Sequence, residues 1–300
     1  MNDHQRTKAV PVIAGLGAIA ARYDVVLSDI WGVVHNGRES FAAAADALTR
    51  FRKGGGTVVL ITNAPRPGAP IREQLDHLNV PRAAYDDLIT SGDVTMALIA
   101  AHGSAPLHLL GPPRDLSRVE SAVRLSPDAP PRLTDLAHAD YVLCTGLFDD
   151  EIEVPADYDE TLAAMRARRM TMLCANPDLV VERGDALIYC AGALAQRYEA
   201  IGGPTVYAGK PYPPIYARAL ELARAARGKT FRERRVLAIG DAMRTDVAGA
   251  VAAGIDILFV TGGIHREDLH GDGPLAAAAL EQFSVRHGLW PTAAIRDLVW

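Results

Sequence analysis

Short apolar runs alternate along the chain with longer stretches rich in Ala, Leu and Arg. The first apolar run, Tyr23 to Asp29, is followed by a helical pattern from Phe41 to Lys53 and a second run, Thr57 to Thr62. Such runs, bounded by turn residues, are typical of buried strands, and their alternation with helical patterns is typical of parallel βα units. The pattern therefore predicts an α/β fold with a doubly wound, mainly parallel sheet.

The pattern restarts near Ser91 with its own strands, among them Tyr141 to Cys144 and Thr171 to Cys174. A third block, which includes the strands Thr205 to Gly209 and Arg235 to Ile239, looks like a continuation of the first. We therefore expect a core made of residues 1–90 and 189–300, with a smaller α/β cap inserted at residues 91–188. The last eight residues, 293–300, have a helix-like pattern.

Composition narrows the class of protein. The chain has 300 residues, of which 49% are hydrophobic and 22% charged, so it can bury a full core and is not disordered. Its net charge of −5 provides no broad positive field, and we expect no nucleic-acid partner. No apolar run reaches the roughly 18 residues that span a membrane. Three widely spaced cysteines form neither a disulfide framework nor a zinc pattern, and we expect a cytoplasmic protein.

The stretch Val12 to Ala20 nearly matches a dinucleotide-binding fingerprint. That motif needs an uninterrupted strand before it and an acidic residue about 20 positions later. Pro11 cuts the strand short, and no acid lies between Val33 and Gly37. We read the stretch as a short helix leading into the first strand, without a nucleotide role.

Polar residues follow four of the predicted strands, and ligands in open α/β sheets bind at the carboxyl ends of strands. Singly, each of these residues could be a helix cap or a turn residue. Together they fit phosphoryl transfer through a carboxylate nucleophile, which needs a divalent cation and fixed donors to offset charge. The strand-end residues are Asp29, Thr62 with Asn63, Lys210, and Asp241 with Asp246 nearby.

The segments around these positions resemble a known superfamily. They are Asp29-Ile-Trp-Gly, Leu60-Ile-Thr-Asn, Ala175-Asn-Pro-Asp, Gly209-Lys-Pro and Gly240-Asp-Ala-Met-Arg-Thr-Asp. In this order they resemble the haloacid dehalogenase superfamily of phosphohydrolases, and specifically its NagD-like branch. In that branch a large α/β cap is inserted between the Thr and Lys motifs. The resemblance covers roughly residues 24–263.

The resemblance implies a role for each matching position. Asp29 would be the nucleophile and a Mg²⁺ ligand, with Asp241 as the acidic metal ligand. Thr62 and Lys210 would complete the catalytic set, because both would contact the phosphoryl group. The remaining assignments are Asn63, Arg66 and Asn176 for phosphate or substrate binding, the backbone carbonyl of Trp31 for the metal, and Asp246 and His35 as supporting residues.

One position departs from the family pattern. Family phosphatases carry a second Asp two residues after the nucleophile, as acid and base for the leaving oxygen and the attacking water, and Trp31 stands there instead. Three explanations stay open. His35, or Asp149 or Asp150 from the cap, could substitute. The leaving group could be acidic enough to need no proton. The protein could bind a phosphorylated ligand without turning it over.

A second departure is Pro65, which removes a backbone N–H close to the expected phosphate site, and Arg66 could replace that contact. The sequence thus predicts a Mg²⁺-dependent hydrolase of a small phosphorylated metabolite, acting through an aspartyl phosphate on Asp29. The alternative is a catalytically weak or inactive protein of the same fold that binds a phosphorylated ligand. A homodimer through the tail or the cap surface stays open, whereas a purely structural role has no support beyond Trp300 at the end of the tail. The sequence does not name the substrate.

Overall fold

A computed structural model describes residues 9–116, 130–183, 186–228, 230–270, 275 and 277–300. The chain divides into two compact units. The first comprises Met1–Thr62, Ile71–Ile89 and Tyr216–Trp300, and the second comprises Asn63–Pro70 and Thr90–Ile215. In the described ranges, no helix combines the length and the apolar character that crossing a membrane requires.

The strands of the described residues are numbered along the chain. They are β1 (Val25–Asp29), β2 (Thr57–Thr62), β3 (Asp87–Thr90), β4 (Pro106–Leu110), β5 (Arg132–Leu133), β6 (Tyr141–Cys144), β7 (Thr171–Cys174), β8 (Val180–Arg183), β9 (Ala186–Tyr189), β10 (Thr205–Tyr207), β11 (Val236–Gly240), β12 (Asp256–Val260) and β13 (Ala293–Ile295). The α-helices are α1 (Ala42–Lys53), α2 (Gly68–His77), α3 (Ser91–Ala101), α4 (Asp159–Ala167), α5 (Ala191–Ala200), α6 (Pro213–Arg227), α7 (Ala248–Ala252), α8 (Arg266–His270) and α9 (Ala277–His287).

The first unit is built on a six-stranded sheet in the order β13-β12-β11-β1-β2-β3. The pairs β1–β2, β1–β11, β11–β12 and β12–β13 are parallel. Every residue of β1, β2 and β11 is buried, which requires cover on both faces and explains why these strands are nearly unbroken apolar runs. The predicted doubly wound parallel core is confirmed.

The second unit contains a five-stranded parallel sheet in the order β10-β7-β6-β4-β5. An antiparallel pair, β8–β9, accompanies it. Its core includes Tyr198 of α5, whose hydroxyl donates a hydrogen bond to the Met170 carbonyl oxygen at 2.7 Å. This unit is an α/β domain whose two chain segments are inserted between the three segments of the first unit.

The predicted boundary at residue 188 differs from the structure. The sequence pattern predicts that β10 and Lys210 belong to the core, yet β10 pairs with β7, and the second unit extends to Ile215. A short apolar run followed by a turn looks the same in either sheet. Its partner strand is chosen by long-range contacts, which the run itself does not encode.

The tail prediction is also wrong. Residues 293–295 form β13, parallel to β12, and the predicted helix is absent from that stretch. The extended segment at Val12 pairs with Ala294 at the same edge. Added β-carbons at Gly15 and Gly17 would meet the Trp300 backbone and ring, respectively, so these glycines make room for Trp300. That packing accounts for the fingerprint-like glycines.

Candidate active site

Strand register in the first unit sets three polar side chains at one edge of the sheet. Asp29 ends β1 and lies beside Ile61, so Thr62 follows one position further along β2. Ser28 lies beside Ile239, which puts Gly240 and Asp241 just past the same level on β11. Parallel strands end at a common edge, so this neighbourhood follows directly from the register.

Three carboxylates meet at this edge. Asp29, Asp241 and Asp246 each offer an oxygen within 4.8 Å of the others, and all three residues are buried. Asp246 belongs to a π-helical turn, Met243–Val247, that leaves β11. Each carboxylate accepts a backbone N–H. Ile30 donates to Asp29 at 2.8 Å, Ala242 to Asp246 at 3.1 Å, and Ile264 to Asp241 at 2.9 Å.

Three glycines that were not predicted as site residues make space for these carboxylates. A β-carbon at Gly32 or at Gly263 would overlap Oδ2 of Asp241, and one at Gly240 would overlap the carboxyl group of Asp246. Gly32 also has φ +75°, a conformation that glycine adopts readily. The sequence does carry a signal for Gly263: Thr-Gly-Gly at 261–263 directly follows β12, a fourth strand that ends at the same edge.

The donor set fits a small divalent cation. Three carboxylates this close repel one another, and a divalent cation between them would offset that repulsion. All donors are oxygens, the ligand type that Mg²⁺ and Ca²⁺ prefer. The close approach of Gly32 and Gly263 to one Asp241 oxygen leaves that carboxylate little freedom to move.

Trp31 follows Asp29 by two residues in the sequence, and it is 47% exposed. Its ring meets His35 edge-on, with 5.2 Å between ring centroids, and lies against Gly37, where a β-carbon would overlap the indole. His35 is buried and its Nδ1 accepts the Gly37 N–H at 3.0 Å. A nitrogen that accepts carries no proton, so the ring proton of neutral His35 is on Nε2.

His265 is a neighbour of the acidic turn that the sequence analysis missed. Its Nε2 accepts the Met243 N–H at 3.2 Å, and its ring packs edge-on against Phe283. Burial lowers the pKa of His265, an effect that nearby Asp268 partly opposes. The neutral ring therefore supports the turn that carries Asp246.

The remaining predicted site residues belong to the second unit. Asn63, Asn176 and Lys210 are buried, and Arg66 is exposed. Asn63 contacts the backbone of Lys210 and the carboxylate of Asp178. The Asn176 side-chain oxygen accepts the Asp178 N–H at 3.1 Å, which forms a local turn. Hydrogen bonds of Asn63 thus connect its own Thr-Asn motif with the Ala-Asn-Pro-Asp and Gly-Lys-Pro motifs.

Two models of known protein families match this chain, one in its N-terminal part and one in its C-terminal part. A haloacid dehalogenase-like hydrolase family model matches residues 26–122, and a related hydrolase-like model of that group matches residues 207–283. A solved hydrolase of the haloacid dehalogenase-like family from Brucella suis 1330 is 42% identical, with a TM-score of 0.80, and the alignment covers 96% of this chain and 100% of that one. The chain belongs to the haloacid dehalogenase-like hydrolase family.

Two further proteins are similar to this chain at lower identity. D-glycerol 3-phosphate phosphatase from Mycobacterium tuberculosis is 28% identical over 257 residues, which are 83% of this chain and 65% of that protein's length. NagD from E. coli K-12 is 20% identical, with a TM-score of 0.62, over 92% of this chain and 96% of that one. The NagD-like architecture of this haloacid dehalogenase-like protein is therefore confirmed at the level of the fold.

Proposed function

We propose that this haloacid dehalogenase-like protein is a Mg²⁺-dependent phosphatase that hydrolyses a small phosphorylated metabolite through an aspartyl phosphate on Asp29. The observation that carries the proposal is the group of three buried carboxylates at the strand edge, within 4.8 Å of one another. The phosphatase name of the mycobacterial relative supports the same reaction class.

The residues of the first unit suit the two chemical steps. An Asp29 oxygen attacks phosphorus and displaces the ester oxygen as the leaving group. Water then attacks the acyl phosphate, which releases inorganic phosphate and restores the carboxylate. The other carboxylate oxygen of Asp29 is held in place by a hydrogen bond of 2.8 Å from the Ile30 N–H. Thr62 follows Ile61, the residue that lies beside Asp29 in the sheet. Its hydroxyl is proposed to donate to the phosphoryl oxygens.

Asp29 and Asp241 would hold the cation, with Asp246 beside them as a supporting residue, and the backbone carbonyl of Trp31 is the proposed third protein ligand. When bound, Mg²⁺ supplies charge neutralisation between the nucleophilic carboxylate and the phosphate. Lys210 is proposed to neutralise charge on the phosphoryl group, following the family resemblance of the Gly-Lys-Pro segment. Asn176 and Arg66 are proposed substrate contacts on the same ground.

Trp31 favours a second candidate, a phosphate-ligand binding protein with weak turnover. An indole N–H cannot exchange protons with a leaving oxygen, and general acid–base help is worth about 10²–10⁴-fold in rate. His35, the nearest alternative in the sequence, has its Nδ1 occupied by the Gly37 N–H, so only Nε2 could donate.

The test is phosphate release from alkyl phosphates, aryl phosphates and one acyl phosphate, with and without Mg²⁺, compared with Asp29→Asn. Mg²⁺-dependent release that Asp29→Asn abolishes is the expected result. Release confined to the acyl phosphate would narrow the substrate to acidic leaving groups. No release above the Asp29→Asn background, with phosphorylated ligands still bound, would replace the phosphatase by the binding protein.

A further inference from the structure

The side chain of Asn63 is committed to protein partners on both its ends. Nδ2 donates to Oδ1 of Asp178 at 2.9 Å and to the Lys210 carbonyl oxygen at 3.1 Å, while Oδ1 accepts the Lys210 N–H at 2.7 Å. The partners fix the amide orientation, because an N–H only donates and a carbonyl oxygen only accepts. Both amide hydrogens and one lone pair of the buried Asn63 are therefore used.

The backbone packs closely around Asn63 and its hydrogen-bond partners. A β-carbon at Gly209 would overlap Oδ1 of Asn63 and lie 2.7 Å from Cδ of Pro177. A β-carbon at Gly192, near the start of α5, would overlap the Pro177 carbonyl oxygen and lie 2.5 Å from that of Asp178. Gly209 thus packs directly against Asn63, and Gly192 of α5 packs against the backbone at 177–178, with no space for a β-carbon at either glycine. Packing this close resists displacement.

We propose that Asn63 is a positioning residue for Lys210, and that Asp178 holds the Asn63 amide in the orientation this needs. Two hydrogen bonds to the N–H and C=O of one residue fix the peptide planes on either side of it, and hence the direction of its Cα–Cβ bond. Lysine has a flexible four-carbon stem, so a fixed origin narrows where its ammonium group can lie. The inference rests on the proposed function, in which the Lys210 ammonium contacts the phosphoryl group.

This assigns Asn63 a role different from the direct phosphate contact predicted from the sequence. It also gives a role to Asp178, the last residue of the Ala-Asn-Pro-Asp segment, for which the sequence alone predicts none. The charge of Asp178 strengthens its bond to the amide, since hydrogen bonds to charged acceptors are stronger than neutral ones. Buried polar groups joined in this way act together, and the loss of one partner leaves the others unsatisfied.

The first variant is Asn63→Asp, which is nearly isosteric. It keeps an acceptor for the Lys210 N–H, removes both donated bonds, and sets a second carboxylate against Asp178. We expect kcat/KM to fall about 10²-fold, the effect expected from a displacement of about 1 Å in a catalytic group. In the double variant Asn63→Asp with Asp178→Asn, the amide at 178 donates to the carboxylate at 63. We expect the double variant to recover at least tenfold of that loss.

Lys210→Met separates positioning from general stability. If Asn63 acts through Lys210, then Asn63→Asp lowers kcat/KM in the wild-type background but has no further effect when Lys210 is already replaced. Tyr198→Phe is the matched control. It removes another buried side-chain bond to backbone in the same unit, to Met170, and we expect it to lower the melting temperature with kcat/KM unchanged. Affinity for inorganic phosphate, measured by calorimetry, gives a readout that needs no turnover.

The outcomes are distinguishable. Equal losses from Asn63→Asp in the two backgrounds, in kcat/KM and in phosphate affinity, would overturn the positioning role and leave the phosphatase intact. An active enzyme that Lys210→Met does not slow would overturn it as well. If no substrate is hydrolysed, the affinities of the same variants for inorganic phosphate test whether Asn63 acts through Lys210. A protein that neither hydrolyses phosphate esters nor binds phosphate would overturn both proposals.

Discussion

The indole of Trp31 meets the imidazole of His35 edge-on, with the ring planes 76° apart and the centroids separated by 5.2 Å. The backbone joins the two residues as well, through a bridge between 31 and 35 and a 2.9 Å hydrogen bond from the Gly32 N–H to the His35 carbonyl oxygen. Trp31 is thus built into the loop after the proposed nucleophile, with one edge packed and nearly half of the residue exposed.

The exposed indole leads to a prediction about leaving groups. Trp31→Asp should raise kcat/KM for alkyl phosphates by about 10²–10⁴-fold, because a carboxyl group at this position can protonate the leaving oxygen. Aryl and acyl phosphates, whose leaving groups need little proton transfer, should gain far less. Steady-state phosphate release across a series of leaving-group pKa values measures both effects.

Trp31→Asn is the matched control, since Asn has the shape of Asp without its proton chemistry. An equal gain from Asn and Asp would show that removal of the indole, rather than proton transfer, was responsible.

The acidic cluster predicts a metal-dependent gain in stability. Without Mg²⁺, Asp241→Asn should raise the melting temperature, because it removes one of three like charges within 4.8 Å. With Mg²⁺ at a hundredfold excess over its dissociation constant, the wild type should gain about 2.7 kcal/mol and the variant much less. Thermal unfolding with and without Mg²⁺ measures the difference. Asp46→Asn, at an exposed helical ion pair with Arg50, should leave the Mg²⁺ gain unchanged.

Gly263 is predicted to set the geometry of Asp241. In Gly263→Ala the new methyl group overlaps Oδ2 of Asp241, so the carboxylate must move and Mg²⁺ affinity should fall by at least tenfold. Gly54→Ala is the control, because its added carbon would meet nothing closer than 3.3 Å, at the Phe51 carbonyl oxygen. Calorimetric Mg²⁺ titration of both variants measures the affinity, and equal affinities would contradict this role for Gly263.

Burial of a thiol predicts a loss of stability at alkaline pH. Cys144 is fully buried, and burial raises its pKa from 9.0 to about 12. Between these values the unfolded chain loses the proton while the folded protein keeps it, so unfolding becomes more favourable as pH rises. The contribution of Cys144 is fully present below pH 9, and about 2 kcal/mol of it should be lost by pH 10.5.

Urea unfolding of the wild type and Cys144→Ala between pH 8 and 10.5 isolates this effect. The variant should be less stable at pH 8, owing to the cavity it creates, and its stability should fall less steeply with pH. Parallel slopes would show that other groups account for the pH dependence.

The sequence by itself determined the fold class and indicated which polar residues stand at the strand ends. Strands β1 and β2 are nearly continuous apolar runs because both faces of their sheet are covered, and this makes them visible without a structure. The residues after them were found because parallel strands end at one edge. The order of the motifs was sufficient to indicate the haloacid dehalogenase-like family, which a 42% identical relative confirms.

Only the tertiary structure decided which sheet receives β10, what residues 293–295 form, and what the buried polar side chains contact. Strand β10 pairs with β7 across a separation of more than thirty residues, and no local pattern encodes such a partner. The family resemblance implied a phosphate contact for Asn63, and nothing in the sequence indicated that its amide bonds to protein groups instead. Its hydrogen bonds go to residues 115 and 147 positions away, and packing over such distances is fixed only when the whole chain folds.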